Sequence, residues 1–158
     1  MRPVQGEPAK RAGRLLPGVK VVIREEGIRR ALEEVLARLP VEALDIPTLN
    51  SITSRKTSDA GSLAGLTRRV TYERTIRFGL GKTRTDEVVV QKVELYRDMM
   101  MQLSLSSREA VIAHELAHAW LNDNIAPDDS ATREEECDAL AEKWGFVDEL
   151  RALADETE

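Results

Sequence analysis

Residues 111–120 read Val-Ile-Ala-His-Glu-Leu-Ala-His-Ala-Trp and contain both histidines of the 158-residue chain, His114 and His118. Residues four apart lie on the same face of an α-helix, so the two imidazoles can reach one metal ion. Glu115 is the only charged residue of the stretch, as expected for a helix buried beneath a site. Its carboxylate can act as a general base toward water. The sequence therefore predicts a metal site here; the alternative is a buried helix whose histidines are satisfied by hydrogen bonds.

A hydrolytic zinc site normally uses three protein ligands, so a third ligand is expected. A further histidine six residues after His118 is excluded, because that position is Asn124. A cysteine ligand upstream of the motif is excluded as well, because the single cysteine, Cys137, lies downstream. A carboxylate remains as the expected third ligand.

The segment that follows supplies that carboxylate on a second predicted helix, whose buried stripe is Cys137, Leu140, Ala141 and Trp144. At about 100° per residue, Glu134 falls beside this stripe, Glu135 points away and Glu136 lies on the other flank. Glu134 is therefore the predicted ligand. Asp138, one turn later, could accept a hydrogen bond from a ligating imidazole. The alternative for the three glutamates is a solvated acidic first turn, which the helix dipole also favours.

These residues resemble a known family. His-Glu-Leu-Ala-His followed by Glu134-x-x-x-Asp138 resembles the gluzincin metallopeptidases, the group that includes thermolysin. The compact run from Arg133 to Asp138 also resembles small bacterial zincins, including those associated with repressor cleavage and membrane-bound relatives. The resemblance covers residues 106–146. It implies zinc held by His114, His118 and Glu134, with Glu115 as catalytic base and Asp138 behind a ligand. It also implies that an edge strand of the sheet binds substrate peptide in extended form.

The other elements predict an α+β, zincin-like domain over residues 19–158, with a flexible arm at residues 1–18. Its small antiparallel or mixed sheet should pack on an N-terminal helix, the helix of His114 and the glutamate helix. A short strand is expected at 19–23 and the N-terminal helix before Pro40; the spacing that predicts this helix is Ile28, Ala31, Leu32, Val35, Leu36 and Leu39.

Further along, residues 41–66 give no clear pattern, and a strand interrupted at Arg74 is expected over Val70 to Phe78. A turn at 78–82 and a strand at 88–96 should follow. Two capping boxes, Ser106 with Glu109 and Thr132 with Glu135, are predicted to start the two site helices, and Gly145 to end the second.

The composition of the chain constrains its expected location and partners. The net charge is −5 and there is one cysteine, so an internal disulfide is excluded. We expect neither a secretion signal nor a membrane segment, and we expect a cytoplasmic location. Basic residues cluster in the middle of the chain at Arg68, Arg69, Arg74, Arg77, Lys82 and Arg84. We expect these residues to form a solvated face; the alternative is a surface that meets an acidic peptide or nucleic acid. The lack of interleaved aromatic residues argues against nucleic acid as the partner. The oligomeric state is left open.

The expected function is a zinc-dependent peptidase of narrow specificity, acting on a peptide or protein substrate. The oxyanion would need a further stabiliser, for which Tyr96, Tyr72 or an arginine are candidates. One alternative is a metal-stabilised interaction module that cleaves nothing. Another is a regulatory protease held latent by the arm at residues 1–18.

Overall fold

The computed structural model describes residues 16–57 and 63–157. Over these residues the chain forms four strands, β1 Lys20–Val22, β2 Leu49–Arg55, β3 Gly65–Arg77 and β4 Thr83–Tyr96. It also forms five α-helices, which are α1 Glu26–Arg38, α2 Arg97–Met100, α3 Leu105–Asn124, α4 Ala131–Lys143 and α5 Val147–Thr157, and one 3-10 turn at Val41–Leu44.

The four strands make one mixed sheet in the order β1-β2-β4-β3. β1 pairs with β2 and β2 with β4 in parallel, whereas β3 and β4 form an antiparallel hairpin. The hairpin turns at residues 78–82, where the backbone N–H of Phe78 donates to the carbonyl of Lys82 at 2.9 Å. The predicted α+β class with a mixed sheet is confirmed, and β3 is an edge strand.

Helix α3 lies at the centre of the helical layer and contacts α1, α4, α5 and the two strands of the hairpin. Helix α1 buries the apolar stripe that its spacing predicts, with Ile28, Ala31 and Val35 fully inaccessible to solvent. The far end of α5 also holds the start of α3, because Glu156 accepts hydrogen bonds from Ser104 and Ser107. No helix within the described ranges is both long and apolar enough to cross a bilayer.

Side chains alternate between the two faces of the β3–β4 hairpin. Thr67, Val93 and Leu95 face α3, and Val93 and Leu95 are fully buried there. Residues of the other parity, including Arg68 and Glu94, lie on the opposite face. This alternation decides which residues of β3 can contact the site helices.

Both predicted capping boxes are wrong. Helix α3 begins at Leu105 with Ser104 as its cap, whose side chain accepts from the N–H of Ser107. Helix α4 begins at Ala131 with Ser130 as its cap. In each case the cap is the serine with extended backbone before the first helical turn, two residues ahead of the predicted one. The ends of α1 and α4, set by Pro40 and Gly145, agree with the sequence.

Three strand predictions also need correction. The unassigned segment 41–66 contains β2, and β3 begins at Gly65 and runs through Arg74 without interruption. The strand predicted at 88–96 begins five residues earlier, at Thr83. Arg74 is accommodated because its part of the hairpin is solvent-exposed. Residues 1–15 of the predicted arm lie outside the described residues, and Leu16 is buried in the core.

Leu36 on α1 is 2% exposed, whereas Leu80 in the hairpin turn is completely exposed. We expect Leu36→Ala to lower the free energy of unfolding by about 2–5 kcal/mol, because it leaves a cavity in the core. The matched change Leu80→Ala should alter it by less than about 0.5 kcal/mol. Urea denaturation of both variants checks this, and equal losses would contradict the position of α1.

Candidate metal centre

Helix α3 presents His114 and His118 on one face, directed toward the start of α4. His118 is buried, and the side chain of His114 is 16% exposed. The helix is lined mainly with apolar residues on its other sides; Glu109, one further buried charge near its start, is paired with Arg38 and lies away from the site. The sequence prediction that both imidazoles share a face therefore agrees with their positions.

Glu134 stands between the two histidines. Its Oε2 lies 2.7 Å from Nε2 of His114, and its Oε1 lies 3.7 Å from Nδ1 of His118. The carboxylate comes from the first turn of α4, and its side chain is about half exposed (53%). Glu136 lies near Arg133 instead, with its Oε1 3.5 Å from Nε of that arginine.

Asp138 contacts the other nitrogen of the same imidazole, with its Oδ1 2.7 Å from Nδ1 of His114. Burial by itself would lower the pKa of His114, but Asp138, Glu115 and Glu134 together raise it to about 9. The carboxylates thus stabilise positive charge at His114. That is the electrostatic environment that a bound cation also needs.

Glu115 is buried next to His114 and is held by strand β3. Thr67 donates its hydroxyl to Oε1 of Glu115 at 2.8 Å and lies 2.9 Å from the carbonyl oxygen of the same residue. Burial raises the pKa of Glu115, although His114 and Thr67 act to lower it. A carboxylate with a raised pKa is better matched to proton transfer near neutral pH. Thr67 had no signal in the sequence, because its contact with Glu115 joins residues 48 positions apart.

The donors fit zinc by type, since two imidazoles and one carboxylate form a common catalytic ligand set. Their positions fit less closely: within the described ranges, no group of three or more His, Cys, Asp or Glu residues is arranged to hold an ion. Ligand atoms of one tetrahedral zinc lie about 3.3 Å apart, given bonds of about 2 Å, and His114 and Glu134 are closer than that. His118 also directs its Nε2 to the carbonyl oxygen of Asp128, at 3.2 Å. Ion binding therefore requires the exposed Glu134 side chain to separate from His114, and His118 to reorient.

A buried polar network fixes α4 against α3 and β4. Gln91, which is fully buried, donates to the carbonyl of Ala119 at 2.9 Å and accepts from Asn122 at 2.9 Å. Asn122 in turn accepts from the guanidinium of Arg133 at 3.2 Å, and Arg133 also donates to the carbonyl of Ala126 at 2.7 Å. Arg133 precedes Glu134, so the network holds the backbone from which the candidate ligand projects.

A cleft of about 730 Å³ borders the site. One wall is the first part of β3, residues 66–69, and the other contains His118, Glu134 and the segment 127–129. The edge of β3 that runs along this cleft pairs with no other strand among residues 16–57 and 63–157, so its main-chain groups are available there for hydrogen bonding with respect to these residues.

The two tyrosines considered for the oxyanion do not face the cleft. Tyr96 donates to Glu94 Oε2 at 2.8 Å on the sheet face opposite α3. Tyr72 lies on that same face, farther out along the hairpin, where it pairs with Val88. Both positions are explained by strand packing. Arg69, by contrast, has the same parity as Thr67 and lines the cleft.

Comparisons of the chain with protein-family models, with curated proteins and with solved structures found no significant match. Inferences about function therefore depend on the residues of the site themselves.

Thr67→Val keeps the shape of the side chain but removes the donor to the buried Glu115 carboxylate. We expect the free energy of unfolding to fall by about 1–3 kcal/mol, because a buried charged group loses a hydrogen-bond partner. Thr67→Ser should restore most of the loss, and Thr71→Val, at an exposed position on the same face, should change little. Chemical denaturation measures all three. A Thr67→Val variant as stable as Thr71→Val would contradict the contact.

Proposed function

We propose that this chain is a zinc-dependent metallopeptidase with a zincin-like fold. The observation that carries the proposal is the position of Glu134, which comes from a different helix yet lies beside both His114 and His118. Glu115, the adjacent carboxylate, is buried at the same place and is oriented by Thr67. Two imidazoles, one carboxylate ligand and a separate basic carboxylate form the residue set of metal-assisted hydrolysis.

In this proposal His114, His118 and Glu134 would hold the zinc. Zinc in such a site acidifies water and polarises a carbonyl. Glu115 accepts the proton of the attacking water at its carboxylate and later passes it to the leaving amine. Thr67 keeps that carboxylate in place. Asp138 contacts Nδ1 of His114 and would thereby leave Nε2 as the nitrogen available to a metal.

An extended peptide is the proposed substrate. β3 is an edge strand whose first residues border the cleft, and a peptide placed along it can pair with its free main-chain groups. Thr67, which contacts Glu115, belongs to this part of β3. A peptide bound here would therefore pass close to the proposed base.

A non-catalytic interaction module is the second candidate. It is favoured by the direct contacts of His114 with Glu134 and Asp138, which could serve as a charged structural cluster without an ion. The burial of Glu115 argues against it. Burying a carboxylate costs stability, and an apolar residue would pack there more favourably. The presence of Glu115 at this position is therefore better explained by a role in proton transfer.

A cytoplasmic location and a narrow specificity are part of the proposal. Cys137, the one cysteine of the chain, is buried and free, which suits a reducing compartment. Latency imposed by the arm at residues 1–18 stays a separate hypothesis, since residues 1–15 of this arm lie outside the described part of the chain.

Purified protein is expected to contain one zinc per chain by elemental analysis. His114→Ala and Glu134→Ala should each lose it, because each removes one of three ligands. Glu135→Ala is the matched control: it removes the same charge from the same turn of α4 and should keep the metal. Asp138→Ala should weaken zinc affinity by about 10–100-fold. Stoichiometric zinc in Glu134→Ala, or equal loss in Glu135→Ala, would refute the assigned ligand set.

Glu115→Gln separates catalysis from metal binding. The amide preserves the shape of the side chain and can still accept the hydrogen bond from Thr67, but it cannot take a proton. We expect a folded, zinc-containing variant whose cleavage of peptides falls by about 100-fold or more. Mass spectrometry of a peptide digest measures cleavage, with zinc content measured on the same sample. If wild-type protein with zinc cleaves nothing, the interaction module becomes the better account; if Glu115→Gln cleaves as wild type does, the role of the base is wrong.

A further inference from the structure

We propose that Arg69 forms a subsite for an acidic side chain of the substrate, next to the scissile bond. The inference rests on the proposed peptidase function and names the class of peptide that the cleft selects. Arg69 lies on β3, two residues after Thr67, and lines the same cleft as His118 and Glu134.

The strand geometry places Arg69 beside the reacting region. Alternate residues of a strand share a face, so Arg69 projects on the side of Thr67 and of helix α3. At about 3.3 Å per residue it lies roughly 6.6 Å along β3 from Thr67, which contacts the proposed base. That offset matches the spacing between a peptide residue and its second neighbour. Arg69 is therefore placed to meet a side chain of the substrate that flanks the bond to be cut.

The charge of Arg69 is available for this role. Its neighbour Arg68 is paired with Glu94, whose Oε1 lies 3.0 Å from the guanidinium. Within the described ranges Arg69 forms no such ion pair, and its side chain is exposed at the rim of the cleft. An exposed guanidinium beside a peptide-binding strand can bind a carboxylate with two hydrogen bonds.

The opposite wall of the cleft confines the preference to one position. Asp128 and Asp129 line that wall. Carboxylates there disfavour acidic side chains anywhere except next to the basic wall. The cleft should therefore select an acidic residue at one fixed distance from the scissile bond, not acidic peptides in general.

Cleavage-site profiling tests the subsite. The full-length chain loaded with zinc is incubated with a library of decapeptides randomised at their central positions, and products are identified by mass spectrometry. Wild-type protein should enrich Asp or Glu at one position about fivefold. Arg69→Gln should abolish that enrichment, and Arg69→Glu should replace it with Lys or Arg. Arg77→Gln, a change of the same kind on the same face of β3 but outside the cleft, should retain the wild-type preference.

Binding provides a readout that does not need turnover. Two fluorescein-labelled decapeptide pools, one carrying Asp and Glu and the other Asn and Gln at the central positions, are titrated against the zinc-loaded Glu115→Gln chain. The acidic pool should bind about fivefold more tightly, and adding Arg69→Gln should equalise the two pools.

The outcomes separate the two proposals. If the wild-type protein cleaves without a preference for acidic residues, or if that preference survives Arg69→Gln, the subsite is overturned and the proposed peptidase function still stands. A uniform loss of rate in Arg69→Gln with the preference intact overturns it too, and indicates that Arg69 stabilises the oxyanion. Acid-selective binding that depends on Arg69, without cleavage by wild type, supports the subsite and overturns the peptidase. Absence of both cleavage and selective binding overturns both.

Discussion

The close approach of β3 to α3 at Gly65 is the constraint on which the site depends. A Cβ atom at this position would lie 3.0 Å from Cγ1 of Val111 and 3.1 Å from Cγ of Glu115. A larger residue would therefore fit only if these two side chains moved by a few tenths of an ångström. Thr67, two residues along the strand, hydrogen-bonds to the Glu115 carboxylate at this close approach. A glycine on the strand thus favours the burial and the hydrogen bonding of a carboxylate on the helix.

The electrostatics of the site follow from that burial. Glu115 brings one negative charge under His114, and Glu134 and Asp138 add two more at its ring nitrogens. This arrangement favours positive charge at His114, whether a proton or a metal ion supplies it. Because both use the same nitrogen lone pairs, they exclude each other. His114 can therefore either contact Glu134 directly or bind the proposed zinc, but it cannot do both at once.

What the sequence predicted well is local. The shared face of His114 and His118 and the position of Glu134 beside the buried stripe follow from helical periodicity within two short segments. The contact of Asp138 with His114 joins two helices, and the sequence offers it only as a possible hydrogen bond. The structural neighbours Gly65, Thr67 and Gln91 lie tens of residues away along the chain, and only the folded sheet brings them to α3. The residues of strand β2, Leu-Asn-Ser-Ile-Thr-Ser-Arg, alternate too weakly for a periodicity argument to predict it. The cap of each site helix is the serine nearest the first helical turn, and the capping-box pattern places each cap two residues too late.

The polar network around Arg133 explains how a ligand on one helix can be positioned against histidines on another. Arg133 is 3% exposed and is held by Asn122 and by the carbonyl of Ala126, so the backbone at the start of α4 is fixed relative to α3. The side chain of Glu134, the next residue, is exposed and does not pack in the hydrophobic core. A network of this kind contributes more to specifying one arrangement than to net stability, since Nε of Arg133 is buried without a hydrogen-bond partner among the described residues. Glu134 is to contact His114 when no ion is bound and to bind the ion when one is present. This requires a backbone that is fixed and a carboxylate that can move.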